Sequence, residues 1–177
     1  MLSLSELFSR AADYPGNNRE RISAVTIAHS LYAQLHPVEI QNMQIIKSQA
    51  IRDKIPDQKQ SEILGLEQQV TGIVMDIVGD AIGNGDIPEQ QTDAPDGIVF
   101  GLWTMGYGSN LLHLSGIPFD KLGMRQPLDI AWINSNKLLD SYQWKPLSSE
   151  MDIHTLRNKL TQELFTEEIR QLQLARR

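Results

Sequence analysis

Apolar residues recur at steps of three and four along almost the whole chain, and the alternation that marks a half-buried strand is hardly met. The first run has Leu4, Leu7, Phe8 and Ala11 on one face, opened by Ser3 and Glu6 in a capping-box pattern and stopped by the polar turn residues 13–18. A second helix is predicted over residues 18–36, where Ile22, Val25, His29, Tyr32 and His36 share a face. Pro37 ends it or starts the next, in which Ile40, Met43, Ile46 and Ala50 line one side before Pro56 closes it. The clearest stripe runs over residues 58–82 through Ile63, Leu66, Val70, Ile73, Ile77 and Ala81, with Gly83 and Gly85 placed to end the helix in a left-handed conformation.

A polar connector then leads to Pro95 and Asp96, good first-turn residues for a helix over 95–115. Pro127 opens a sixth helix with Leu128, Ala131, Trp132, Ser135, Leu139 and Tyr142 on one face. A seventh starts near residue 149 and continues through Ile153, Leu156, Leu160, Leu164, Ile169 and Leu172. The pattern predicts an all-α chain of seven helices without internal repeat, forming one domain over residues 1–177.

Residues 97–116 hold five glycines among bulky apolar and aromatic residues and not one formal charge. At about 100° per residue, Gly97, Gly101, Thr104, Gly108 and Ser115 fall on one narrow stripe of small residues. A glycine inside a helix costs roughly 1 kcal/mol against alanine, so such a stripe implies close packing of another backbone that returns the energy. Val99, Trp103, Gly106 and Asn110 lie on the other side, so the helix is expected to be buried between two layers. It is central in a monomer, or shared between the interior and a partner in a dimer, and the dimer is the expectation. The same glycines do not make a nucleotide loop, because Leu111 stands where a third glycine is needed, and Gly108, Ser109 and Asn110 lack the spacing of a serine nucleophile elbow. Ser109, Asn110 and His113 interrupt it too early for a membrane span.

Composition narrows the function. Sixteen Lys and Arg against 22 Asp and Glu give a net charge of -6, the wrong sign for a surface that neutralises phosphates. There is no cysteine, which excludes disulfides, thiolate nucleophiles and cysteine zinc sites. No basic-then-apolar leader follows Met1, so a cytoplasmic location is expected. His29 and His36 stand seven residues apart, about 10 Å along a helix, too far to share an ion, and His113 and His154 have no ligand-spaced neighbour. The carboxylates form no acid–base pair, and Asp76 and Asp80 read as a solvent face. Neither a metal nor a cofactor is called for, and no catalytic residue stands out.

The order of elements resembles the C-terminal ligand-binding and dimerisation domain of TetR-family transcriptional regulators. The resemblance rests on residues 17–40, the long helix ending in Asp-Ala-Ile-Gly-Asn-Gly-Asp-Ile, and the polar connector leading to Asp-Ala-Pro-Asp-Gly-Ile-Val-Phe-Gly-Leu-Trp-Thr-Met-Gly-Tyr-Gly. It covers nearly the whole chain through loose patterns. It implies an orthogonal bundle of seven helices in which those over 95–115 and 127–143 build a four-helix bundle across a homodimer axis. The expected interface residues are Gly97, Gly101, Thr104, Gly108, Trp132, Ser135 and Leu139. The family places a basic helix-turn-helix domain ahead of this part and nothing precedes Ser3 to hold one, so DNA would be met only through a domain not in this chain. Such a domain was either removed or never present.

The resemblance also implies a small apolar effector among the middle helices, in a pocket of aromatic and aliphatic groups with a few polar anchors. Candidate ligand contacts are His29, Tyr32, Met43, Ile73, Met75, Trp103, Tyr107 and Asn110. Methionines and aromatics at helical spacing also serve as core, whereas Asn110, an amide on an apolar helix, must find a partner. Two other classes stand beside the sensor: an all-helical enzyme with an apolar cavity, and an interaction module with a filled core.

Overall fold

The computed structural model describes residues 3–88 and 95–175, and the middle of the predicted polar connector, 89–94, lies outside them. Every regular element described is helical: α1 (Leu4–Ala12), α2 (Asn18–Leu35), α3 (Pro37–Lys47), α4 (Gln49–Arg52), α5 (Asp57–Gly83), α6 (Pro95–Leu114), α7 (Pro127–Ser141), α8 (Ile153–Leu164) and α9 (Thr166–Ala175), with a 3-10 turn at Phe119–Leu122. No helix among them is long and apolar enough to cross a membrane. The all-α expectation holds, and two of the seven predicted helices are each divided. Ser48 leaves helical backbone at φ -66°, ψ 137° and its hydroxyl donates to the Ile45 carbonyl at 2.7 Å, separating α3 from α4. Phe165, whose ring is fully buried, breaks the last helix at φ -126°, ψ 27°.

Local chemistry explains the helix starts. In α1 the Ser3 hydroxyl accepts from the Glu6 N–H at 3.3 Å while Glu6 Oε2 accepts from the Ser3 N–H at 2.6 Å. Asn17 and Glu20 repeat the exchange at 2.9 and 3.0 Å and open α2. At the end of α5, Gly85 takes φ 75° and lets the Asp86 N–H reach back to the Ala81 carbonyl at 2.9 Å, while Gly83 remains helical.

The monomer alternative with the glycine helix at the centre does not describe the chain: within one chain the central helix is α2. It packs against α1, α3, α5, α6, α8 and α9, and Ser23, Ala24, Ala28 and Ala33, all buried, let these neighbours approach from several sides. Its first turn carries Arg19, which has no exposure at all. The guanidinium donates to the Trp144 carbonyl at 2.5 Å, the Asn136 carbonyl at 3.0 Å and Asp140 Oδ1 at 2.8 Å, so it clasps α2 to the end of α7. Burial works against the Asp140 charge, but hydrogen bonds from Ser148 and Arg19 hold its carboxyl below the usual range. A second clasp joins the chain ends: Arg10 on α1 donates to the Leu164 carbonyl at 2.9 Å and to both oxygens of the buried Glu168 on α9 at 3.1 Å.

The long stripe on α5 is buried only in its C-terminal half. Val74, Ile77, Val78 and Ala81 are core, whereas Leu66 is exposed. Asp76 and Asp80 face solvent, and Asp80 accepts from Arg21 at 2.7 Å.

Candidate functional site

Helix α6 decides what the molecule offers to a ligand or partner. Its buried residues are Ile98, Val99 and Asn110, and the side they define packs on α2, α3 and α5 while α7 lies along its flank. Gly106 is on that inner side. A Cβ there would stand 2.6 Å from Nδ1 of His29 on α2, so the glycine is what lets the imidazole lie against the helix backbone. The His29 ring also meets Phe8 edge-on, with centroids 6.0 Å apart. Burial, and then the nearby Lys47 charge, push its imidazole down to about 4, so it is neutral at neutral pH.

Lys47, at the end of α3, is the member that sequence reasoning missed. Its ammonium pairs with Glu67 of α5 at 2.7 Å and lies 5.5 Å from the Trp103 ring centroid and 5.4 Å from that of Tyr107. No local pattern announces it, because the lysine, the glutamate and the aromatics belong to three helices far apart in sequence. Trp103 is 46% exposed and thus rims the site rather than filling a core. Asn110 is one turn beyond Gly106 and Tyr107, only 1% exposed, and neither its Nδ2 nor its Oδ1 has a hydrogen-bond partner.

His29, Trp103, Tyr107 and Asn110 are therefore brought to one side of α6. Met43, half-buried, is one turn before Lys47 on α3. Ile73 packs against the core, and Met75, two residues on and 37% exposed, points to the opposite side of α5. Tyr32 is occupied elsewhere. Its hydroxyl donates to Glu39 at 2.6 Å and its ring stacks on His36 at 4.3 Å, with a pocket of about 620 Å³ beside them between α1 and α3. A smaller cavity of about 190 Å³ lies at the Arg10–Glu168 clasp. Neither includes a residue of α6.

The stripe of small residues divides. Gly101 is filled from within the same chain, since a Cβ there would meet Leu138 Cδ2 of α7 at 2.7 Å, whereas nothing stands within 4 Å of one at Gly108. Thr104 is exposed, with its hydroxyl donating to the Gly101 carbonyl at 3.0 Å, and Gly97 is half-buried. Trp132, Ser135 and Leu139, expected at the interface, are 3%, 4% and 2% exposed within one chain and face inward. They are core because the apolar stripe of α7 is the side that covers its own bundle. The outward side of α7 carries Ile130, Asn134, Lys137 and Ser141 instead.

Beside the outer part of the stripe stand Phe100, 63% exposed, and Leu112, 45% exposed. Six of the twelve large apolar residues exposed among the described residues fall between Phe100 and Met124. Among the described residues, no group of three or more histidines or carboxylates is placed to hold a metal ion. Comparison with family models, with curated proteins and with solved structures finds no match.

Proposed function

We propose that the chain is the effector-binding and dimerisation domain of a TetR-like transcriptional regulator, one that senses a small apolar molecule and carries no catalysis of its own. The supporting observation is the two-sided character of α6. Its inner side carries His29's contact at Gly106 and the unpaired amide of Asn110, and its outer side is apolar, glycine-bearing and uncovered.

The occupant of the outer side is a second copy of this chain. An isolated α6 of 20 residues is about 30 Å long, and with α7 beside it at a helix spacing of about 10 Å the pair outlines roughly 500 Å² per copy. Over two copies that reaches the ~1,000 Å² a specific interface needs. Small residues at 104 and 108 let the partner's backbone approach, with Phe100 and Leu112 as flanking anchors. Effector binding on the inner side of α6 then shifts the dimer between two arrangements, provided the ligand prefers one of them. DNA is reached through a helix-turn-helix domain outside this chain, in the cytoplasm.

Sedimentation equilibrium at micromolar concentration tests the dimer. The wild-type chain is expected to be dimeric, and Gly108→Leu to raise its dissociation constant tenfold or more while the fold, judged by circular dichroism, is unchanged. A monomeric wild-type chain, or a Gly108→Leu dimer of unaltered affinity, overturns the assignment.

A further inference from the structure

The inner side of α6 points to more than an apolar ligand. Asn110 presents a donor nitrogen and an acceptor oxygen side by side on a planar amide, and both atoms are buried and unpaired. Leaving such a group unsatisfied is costly, and a leucine of nearly the same size would fill the position without that cost. His29, whose ring lies against Gly106 one turn before Asn110, is neutral and adds no charge. The Lys47 ammonium is already balanced by Glu67 at 2.7 Å, so an anion gains little there, and a second cation is repelled. From Trp103 to Asn110 is two helical turns, about 10 Å, with Tyr107 between them. Only Ile40 of α3 is buried, and Trp103 at the outer end is 46% exposed.

Resting on the effector reading above, we propose that Asn110 is the specificity-determining residue of the site. The ligand class is then an uncharged, flat, mostly apolar molecule bearing an adjacent carbonyl and N–H, as in a lactam or a primary carboxamide. Its carbonyl accepts from Asn110 Nδ2, its N–H donates to Asn110 Oδ1, and its apolar body extends towards Tyr107 and Trp103. No bond is made or broken. Two neutral hydrogen bonds to a buried amide amount to about tenfold or more in affinity.

The test uses benzamide, toluene and benzoate as probes on the wild-type chain and on Asn110→Leu, read by thermal shift and by tryptophan fluorescence. Without a probe, Asn110→Leu is expected to melt higher than wild type. Benzamide is expected to raise the wild-type melting temperature more than toluene, benzoate to do nothing, and Asn110→Leu to bind benzamide at least about tenfold more weakly while still binding toluene. Where leucine disturbs the fold, Asn110→Ala gives the same comparison of benzamide with toluene. A lower melting temperature for both variants without probe, with benzamide no better than toluene on wild type, overturns the role of Asn110. Benzamide and toluene acting alike on every form leaves an apolar effector site standing and removes the amide preference. No shift with any probe overturns both.

Discussion

His29 lies against Gly106 with its imidazole shielded from water, and two predictions belong to that contact. Unfolding lets the ring return from about 4 to its ordinary value of 6.5. The unfolded chain then binds more protons than the folded one between those values, so stability from this group is complete above about 6.5 and is lost as pH falls towards 4. The loss is up to about 3 kcal/mol, since one unit corresponds to about 1.4 kcal/mol. Urea melts at steps between pH 7 and 4.5 check it, and His29→Gln is expected to flatten that part of the profile. Glu167, held at about 2 by its hydrogen bonds to Arg170, titrates below the window. At the same contact, Gly106→Ala gains up to about 1 kcal/mol of helix propensity but drives a methyl to 2.6 Å from the ring, and overpacking of about 1–3 kcal/mol wins. Gly108→Ala meets open space and is expected to stabilise the monomer by up to about 1 kcal/mol, so chemical denaturation of the two variants should show opposite signs.

Helices α2 and α7 depend on one residue that no helical pattern singles out. Arg19 opens an amphipathic run, where an arginine ordinarily belongs to the solvated side, yet its guanidinium is fully buried and fastened to Trp144, Asn136 and Asp140. Removing it takes the donor from two inward carbonyls and the charge partner from the half-buried Asp140, which keeps only its bond from Ser148. Arg19→Ala is expected to cost about 3–5 kcal/mol in equilibrium unfolding, and Arg19→Lys to recover little, because an ammonium lacks the planar fork that reaches three acceptors. The spacing of apolar residues located α2, α5, α6 and α7 to within a residue or two, whereas the last helix begins at Ile153 and not near residue 149. The same spacing missed the breaks at Ser48 and Phe165, since neither is a proline or glycine and an apolar repeat carries on across both.

Across the molecule, Gly101 and Gly108 separate folding from assembly. A leucine at 101 collides with Leu138 of the same chain and is expected to destabilise the fold whatever the assembly, whereas one at 108 meets nothing within the chain and reports on the proposed partner alone. Thermal melts combined with sedimentation distinguish the two, Gly101→Leu lowering the melting temperature and Gly108→Leu the association. The stripe looked uniform in sequence because a helical wheel records angle only. Its neighbours differ from turn to turn: Leu138 of α7 lies against Gly101, and nothing within the chain lies within 4 Å of a Cβ at Gly108.

By itself the sequence determined the extent of most helices, the cap at Ser3 and the turn at Gly85, because these rest on interactions within a few residues. Only the tertiary structure decided that α2 and not α6 is central, that Trp132, Ser135 and Leu139 face inward, and that Lys47 and Glu67 meet over Trp103 and Tyr107. Those outcomes follow from which faces of distant helices pack together, and periodicity along one helix says that a face is apolar without saying what will cover it.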